Sequence, residues 1–180
     1  MKAKLVFFGI GLLWVIAGFW VWHETLAVRD IVAAPSVRNP DTIMVSKVID
    51  GDTLDVVQNG VTKRVRLIGI NTPETLDPRK PVECFGHEAS NFSKHIATGK
   101  EVKLQADPTQ DTMDKYGRLL AYVYLPDGTL LNKKLVEEGY AYEYTYKFPY
   151  AHQQEFKTAE QNARNKKLGL WNEKTCNGKK

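Results

Sequence analysis

Between Ile43 and Ile70 the chain offers three β-prone runs separated by two tight turn signals, and this most constrains what it can fold into. Ile43 to Val48 and Leu54 to Val57 flank the turn Asp50-Gly51-Asp52-Thr53, and Asn59-Gly60 is a hairpin signal. Lys63 to Ile70 then alternates, with Val65 and Leu67 on one face and Arg64, Arg66 and Ile68 on the other. Alternation sends successive side chains to opposite faces of a sheet, so Arg66 meets a different environment from Leu67. Val102 to Leu104 and Leu119 to Leu125 read as two further strands, with Asp127-Gly128 turning the chain after the last.

Three helices complete the expected scaffold. Ala89, Phe92 and Ile96 recur at helical spacing and Gly99 stops the run. Leu131, Leu135 and Val136 form a short stripe closed by Gly139, and Phe156, Ala159 and Ala163 place one apolar face on a last helix ending before Gly169. Five strands with a few helices fit a small Greek-key barrel, in an α+β or mainly β class.

A length of 180 residues suits one domain plus a short extra segment. Lys2 and Lys4 precede an uncharged run from Leu5 to Trp22, near the minimum for a spanning helix and longer than a usual signal-peptide core. Trp20 and Trp22 suit a membrane interface, and Thr25-Leu26-Ala27 is a poor cleavage site. The expectation is therefore an uncleaved signal-anchor at residues 1–22, with a cleaved signal peptide or a buried core helix as alternatives. The positive-inside rule then puts the domain outside the cytoplasm, periplasmic or extracellular, and secreted if the segment is cleaved. Residues 23–40 read as a linker, 41–173 as the domain and 174–180 as a tail. The net charge of +4 is compatible with a polyanionic substrate without arguing for one.

Cys84 and Cys176 both fall on the expected exported side, where a disulfide between them is allowed. Two cysteines are too few for a zinc site, and His23, His87, His95 and His152 show no ligand spacing and read as surface residues.

The chemistry lies in an ordered set: Asp50-Gly51-Asp52-Thr53, Arg66, Asn71-Thr72-Pro73-Glu74 and Asp114-Lys115-Tyr116-Gly117-Arg118. Carboxylates with turn carbonyls can hold a hard cation such as Ca²⁺. Arginines grip phosphate in a fixed fork, and a glutamate can position or deprotonate a water. Together these are the parts of a metal-assisted phosphodiester hydrolase. Each piece alone has a plainer reading, as an acidic turn, a loop glutamate or two surface arginines. Their joint presence changes that reading.

VIDGDT (Val48 to Thr53), VRLIGINTPET (Val65 to Thr75), DKYGR (Asp114 to Arg118) and LGLW (Leu168 to Trp171) resemble the thermonuclease, or staphylococcal nuclease, family. Order and spacing match from about Thr42 to Trp171. The resemblance implies a five-stranded OB-fold barrel with three helices and a Ca²⁺-dependent nuclease hydrolysing DNA, RNA or both to 3′-phosphate products. It makes Asp52 the chief carboxylate ligand, Asp50 a nearby acceptor, and Thr72 a backbone-carbonyl ligand. Asn71 departs from the family pattern, which most often has aspartate there. Asparagine keeps an oxygen but removes one charge, so weaker Ca²⁺ binding is expected. Glu74 becomes the general base or the group that orients the attacking water. Arg66 and Arg118 become the clamp on the phosphate. Lys115 and Tyr116 would contact a terminal phosphate and Tyr144 would pack against a base, with Tyr146 a further substrate-binding candidate, and some rings of the tyrosine-rich stretch Tyr140 to Tyr150 belong to the core.

The expected partners are DNA or RNA substrate and, through the N-terminal helix, a membrane, with no obligate protein partner. The competing expectation is a non-catalytic OB-fold nucleic-acid-binding module weakened by Asn71. Retention of Asp52, Arg66, Glu74 and Arg118 favours the enzyme. Trp171 is expected in the core, and Leu76 to Cys84 as a long mobile loop beside Glu74.

Overall fold

The computed structural model describes residues 43–179. The expected anchor at 1–22 and linker at 23–40 lie outside the described residues. Among the described residues no helix is long and apolar enough to cross a membrane.

The three runs that open the domain form a meander: β1 (Ile43–Asp50), β2 (Thr53–Gln58) and β3 (Val61–Leu67). Each neighbouring pair is antiparallel. Two further strands, β5 (Glu101–Gln105) and β6 (Leu119–Tyr124), pair antiparallel with each other. β6 then lies parallel to β3, and β5 returns to β1, so the sheet closes as β1-β2-β3-β6-β5. Closure removes the free edges that an open five-stranded sheet would expose. This five-stranded closed barrel with α1 (Gly86–Ala97), α2 (Leu131–Glu137) and α3 (Gln153–Asn165) has the OB-fold architecture expected from the sequence.

The alternating positions fill the barrel. Val45, Val48, Leu54, Val56, Val65 and Leu67 are buried and share one core with Leu131, Leu135, Val136 and Phe156. α2 is locked to the barrel by buried Asn132. Its amide donates to the carbonyls of Ile68 (2.9 Å) and Ala121 (3.2 Å), and its carbonyl accepts from the Val123 amide (3.0 Å). A second cluster forms around Trp171, Leu170, Tyr142 and Ala163. Arg164 lies over the Trp171 ring at 3.9 Å.

The structure departs from expectation in four places. The strand expected through Ile70 ends at Leu67, because the chain turns at Gly69 (φ 78°). A Cβ there would sit 2.5 Å from the Tyr150 ring, so both the conformation and the close approach call for glycine. The chain resumes as β4 (Ile70–Asn71), paired with β7 (Tyr142–Glu143). Two-residue strands carry no periodicity, which is why neither was foreseen. Residues 174–179 pack on the domain instead of trailing: the Gly178 amide bonds the Leu170 carbonyl and Cys176 is buried. His152 is half-buried at the start of α3, its ring edge-on to Tyr122 at 4.6 Å. The disulfide between Cys84 and Cys176 is present and ties the segment before α1 to this C-terminal turn.

Candidate active site

The acidic turn is built by β1 and β2. Register irregularities between Val45 and Lys47 and between Val48 and Asp50 re-aim the end of β1. Asp50 and Asp52 are both buried. Asp50 Oδ1 accepts from the Gly51 amide and the Thr75 hydroxyl, each at 2.8 Å. Asp52 Oδ1 accepts from the Thr53 hydroxyl and Oδ2 from the Thr72 amide, each at 3.0 Å. Gly51 is required by contact: a Cβ there would sit 2.7 Å from the Thr72 side chain. Buried Ser93 on α1 fixes the turn from behind, its hydroxyl donating to the Gly51 carbonyl at 2.6 Å.

Arg66 points from β3 into this turn. Its side chain is only 13% exposed, and Nη2 lies 3.0 Å from Asp52 Oδ2. Nη2 also reaches Asn71 Oδ1 at 3.3 Å, and Nη1 donates to the Leu67 carbonyl at 2.6 Å. Asp52, Arg66 and Asn71 are therefore one connected knot at the end of the barrel. Glu74 sits on the loop that follows. Its Oε1 accepts from the amides of Thr75 (2.9 Å) and Leu76 (2.6 Å). The Glu74 main chain is gripped by Glu83 through an amide-to-carbonyl bond of 2.9 Å and an amide-to-carboxylate bond of 3.1 Å. The base of the loop expected to be mobile is thus closed.

Arg118 belongs to a separate clamp. Asp114 Oδ2 holds it through Nε and Nη2, both at 2.6 Å, while Asp114 Oδ1 accepts from the Tyr116 and Arg118 amides. Leu120 stands beside Arg66 in the β3–β6 register, so Arg118, two residues earlier, starts on the same face as Arg66. No hydrogen bond among the described residues joins Arg118 to the Asp52–Arg66 knot. Lys115 and Tyr116 sit at the tip of the same turn, with both Lys115 Nζ (5.0 Å) and the Arg118 guanidinium (5.3 Å) over the Tyr116 ring. Tyr144 follows β7 directly, its amide bonded to the Gly69 carbonyl at 3.0 Å.

The donors around the turn fit a hard cation. They are all oxygen: the Asp50 and Asp52 carboxylates, the Asn71 amide oxygen and the backbone at Thr72. The buried Thr72 hydroxyl has no partner among the described residues. Burial pushes the Asp50 carboxyl above its ordinary pKa, and repulsion from Asp52 and Glu74 adds to that against hydrogen bonds from Thr75 and Gly51. A cation would relieve this crowding of negative charge. Among the described residues no group of three His, Cys, Asp or Glu side chains encloses a metal by itself. Asn71 and backbone oxygen would be needed to complete a shell around any cation held there.

A family model described as "Staphylococcal nuclease homologue" matches residues 64–173. The chain belongs to the staphylococcal nuclease family. The Thermonuclease of Staphylococcus hyicus is 40% identical over 139 residues, covering 77% of this chain and 80% of that protein. The Thermonuclease of Staphylococcus intermedius is 41% identical over 131 residues, covering 73% and 76%. Endonuclease YncB of Bacillus subtilis is 38% identical over 130 residues, covering 72% and 61%.

In this member of the staphylococcal nuclease family, four side chains support the site in roles that the sequence alone did not assign. Thr75 holds Asp50, Ser93 holds the Gly51 turn, Glu83 holds Glu74, and Asp114 holds Arg118. Thr75 and Asp114 lie inside the motifs themselves, and the four-residue step from Asp114 to Arg118 was a usable signal. Ser93 acts across 42 residues and had none.

Proposed function

We propose that this protein is a Ca²⁺-dependent nuclease that hydrolyses phosphodiester bonds of DNA, RNA or both outside the cytoplasm. The observation that carries the reading is the knot of Asp52, Arg66 and Asn71, set beside the Glu74 loop. Family membership and relatives named as thermonucleases and an endonuclease support it.

Asp52, Asp50, Asn71 and the Thr72 carbonyl would hold the cation. When bound, the cation would neutralise phosphate charge and polarise a water. Glu74 orients or deprotonates the attacking water. Hydrolysis to a 3′-phosphate breaks the bond from phosphorus to the 5′ oxygen, and negative charge builds on the remaining phosphorus oxygens. Arg66 and Arg118 stabilise that charge with donors already in place. The Arg66 bonds to Asp52, Asn71 and Leu67 come from Nη1 and Nη2, and a guanidinium carries five N–H donors, so donors remain for a phosphate. Lys115 and Tyr116 take a terminal phosphate, and Tyr144 stacks on a base. The location outside the cytoplasm is supported by the apolar run from Leu5 to Trp22 and by the Cys84–Cys176 disulfide, which suits an oxidising compartment.

Asn71 favours one second reading, an OB-fold module that binds nucleic acid without cleaving it. Incubation of the full chain with single-stranded DNA and with RNA, in calcium and in EGTA, separates the two. The enzyme cleaves in calcium and not in EGTA. Binding without cleavage at any calcium concentration supports the module, and cleavage that EGTA leaves intact removes the calcium requirement.

A further inference from the structure

Between Arg66 on β3 and Asn71 on β4 the chain turns at Ile68-Gly69, and both carbonyls of that turn are gripped by buried side chains. The Ile68 carbonyl accepts from the Asn132 side-chain amide at 2.9 Å, and the Ile68 amide bonds the Ala121 carbonyl at 3.1 Å. The Gly69 carbonyl accepts from the Tyr144 amide and from the Tyr150 hydroxyl, each at 3.0 Å. Both of its lone pairs are thereby used. Tyr150 reaches this turn from 81 positions away in sequence. Its hydroxyl also meets Glu143 Oε1 at 3.0 Å, and Glu143 is the β7 residue paired with Ile70. Burial first, and then Glu143, push the Tyr150 hydroxyl above its ordinary pKa, so it stays a donor.

Tyr150 is itself fixed from behind. On one side of it the Pro149 carbonyl accepts from the Thr109 hydroxyl (3.0 Å) and the Gln110 side-chain amide (3.1 Å). On the other side the Ala151 amide donates to buried Asp107 at 2.7 Å. The Tyr150 ring is 5% exposed, packs against Phe156 at 5.5 Å, and fills the space that the missing Gly69 side chain leaves. A line of contact therefore runs from the Asp107 loop through Tyr150 to Gly69, and Asn71 follows two residues later. β4 is only two residues long, and its sole strand partner among the described residues is β7. So short a pairing is marginal by itself. Yet it carries Asn71, whose Oδ1 lies 3.3 Å from the Arg66 Nη2 that also meets Asp52. A neutral amide oxygen attracts a cation less than a carboxylate does, so its contribution depends on placement.

We infer that Tyr150 is a positioning residue for Asn71: through the Gly69 carbonyl its hydroxyl fixes β4, so that the Asn71 amide oxygen stands ready for calcium. The inference rests on the calcium-binding part of the proposed function. It gives Tyr150 no contact with the metal or the substrate.

The test is calorimetric titration of calcium into the full chain, at a temperature well below the melting midpoint of every form compared. Tyr150→Phe removes the hydroxyl and keeps the ring in the Gly69 hollow. It should raise the calcium Kd by about tenfold, the lower end of what groups that orient a metal ligand contribute. Because the effect passes through Asn71, adding Tyr150→Phe to Asn71→Ala should weaken calcium binding no further than Asn71→Ala alone. A wild-type Kd in Tyr150→Phe overturns the inference even where the melting midpoint falls, since the hydroxyl then serves stability only. Losses that add in the double variant also overturn it, because Tyr150 would then act elsewhere than through Asn71. No calcium binding by the unmodified chain removes the calcium reading and the inference with it, whereas equal binding by the unmodified chain and Tyr150→Phe removes the inference alone.

Discussion

Asn71 carries the sharpest expectation at the scale of single residues. Its amide oxygen accepts from the same guanidinium nitrogen that meets Asp52, and the proposed calcium shell takes that oxygen as a ligand. Asn71→Asp adds a negative charge to an oxygen donor set, and Ca²⁺ affinity follows ligand charge. Calorimetric titration should show tighter calcium binding in the variant; equal or weaker binding would remove Asn71 from the shell. Asp114 gives a second expectation. It fixes Arg118 through paired charge-assisted bonds, and Asp114→Asn should lower kcat by about tenfold or more with little change in KM. A change confined to KM would instead give Asp114 a part in substrate binding. The motif residues were legible because each motif is contiguous and chemically distinctive. The side chains that hold them were not: Ser93 reaches Gly51 and Glu83 reaches Glu74 across folds of chain that leave no periodic mark.

At the scale of elements, the long alternating and helical stripes were readable and the short or irregular joins were not. Val65 and Leu67 face the core as their alternation requires, while the β4–β7 pair is set by Gly69 and by pairing partners 71 and 73 positions apart. The loop between β5 and β6 is another unreadable join, organised by buried Asp107. Its carboxylate accepts from the Thr109 amide and hydroxyl (2.8 and 2.7 Å), the Ala151 amide (2.7 Å) and the Tyr122 hydroxyl. Burial pushes the Asp107 carboxyl up, but the bonds from Tyr122, Ala151 and Thr109 outweigh it and hold the pKa below its ordinary 3.8. A depressed native pKa contributes stability that is fully present above the unfolded value and is lost as pH falls through the native one. Stability against urea should therefore fall below about pH 4, and Asp107→Asn should flatten that decline while lowering stability at neutral pH. An unaltered acid profile would relieve Asp107 of this role.

For the whole molecule, the barrel places the site and the disulfide braces it from outside. Cys84 follows Glu83, which grips the Glu74 main chain, and its partner Cys176 is buried with Trp171. The bridge closes a span of 92 residues, so the chain-entropy model gives about 4.6 kcal/mol of stability as an upper figure. Reduction, or Cys84→Ala/Cys176→Ala, should lower the urea midpoint clearly and also reduce turnover by loosening Glu83 against Glu74. Stability lost with turnover intact would confine the bridge to the C-terminal cluster. Closure of the barrel through parallel β3–β6 pairing is what brings Arg66 and the start of β6 side by side. The five strands were foreseen from the residues, but the OB-fold pairing order came from family resemblance, because strand order is a long-range property that local periodicity does not encode.

Arg66 is proposed to serve phosphate chemistry as well as structure, and Arg66→Lys separates the two roles. Lysine keeps the positive charge beside Asp52 but loses the planar fork. In saturating calcium and single-stranded DNA, kcat should fall by about a hundredfold or more while the melting temperature changes little. A variant that cleaves at the wild-type rate would show that Arg66 only neutralises Asp52, and would contradict the account of the site.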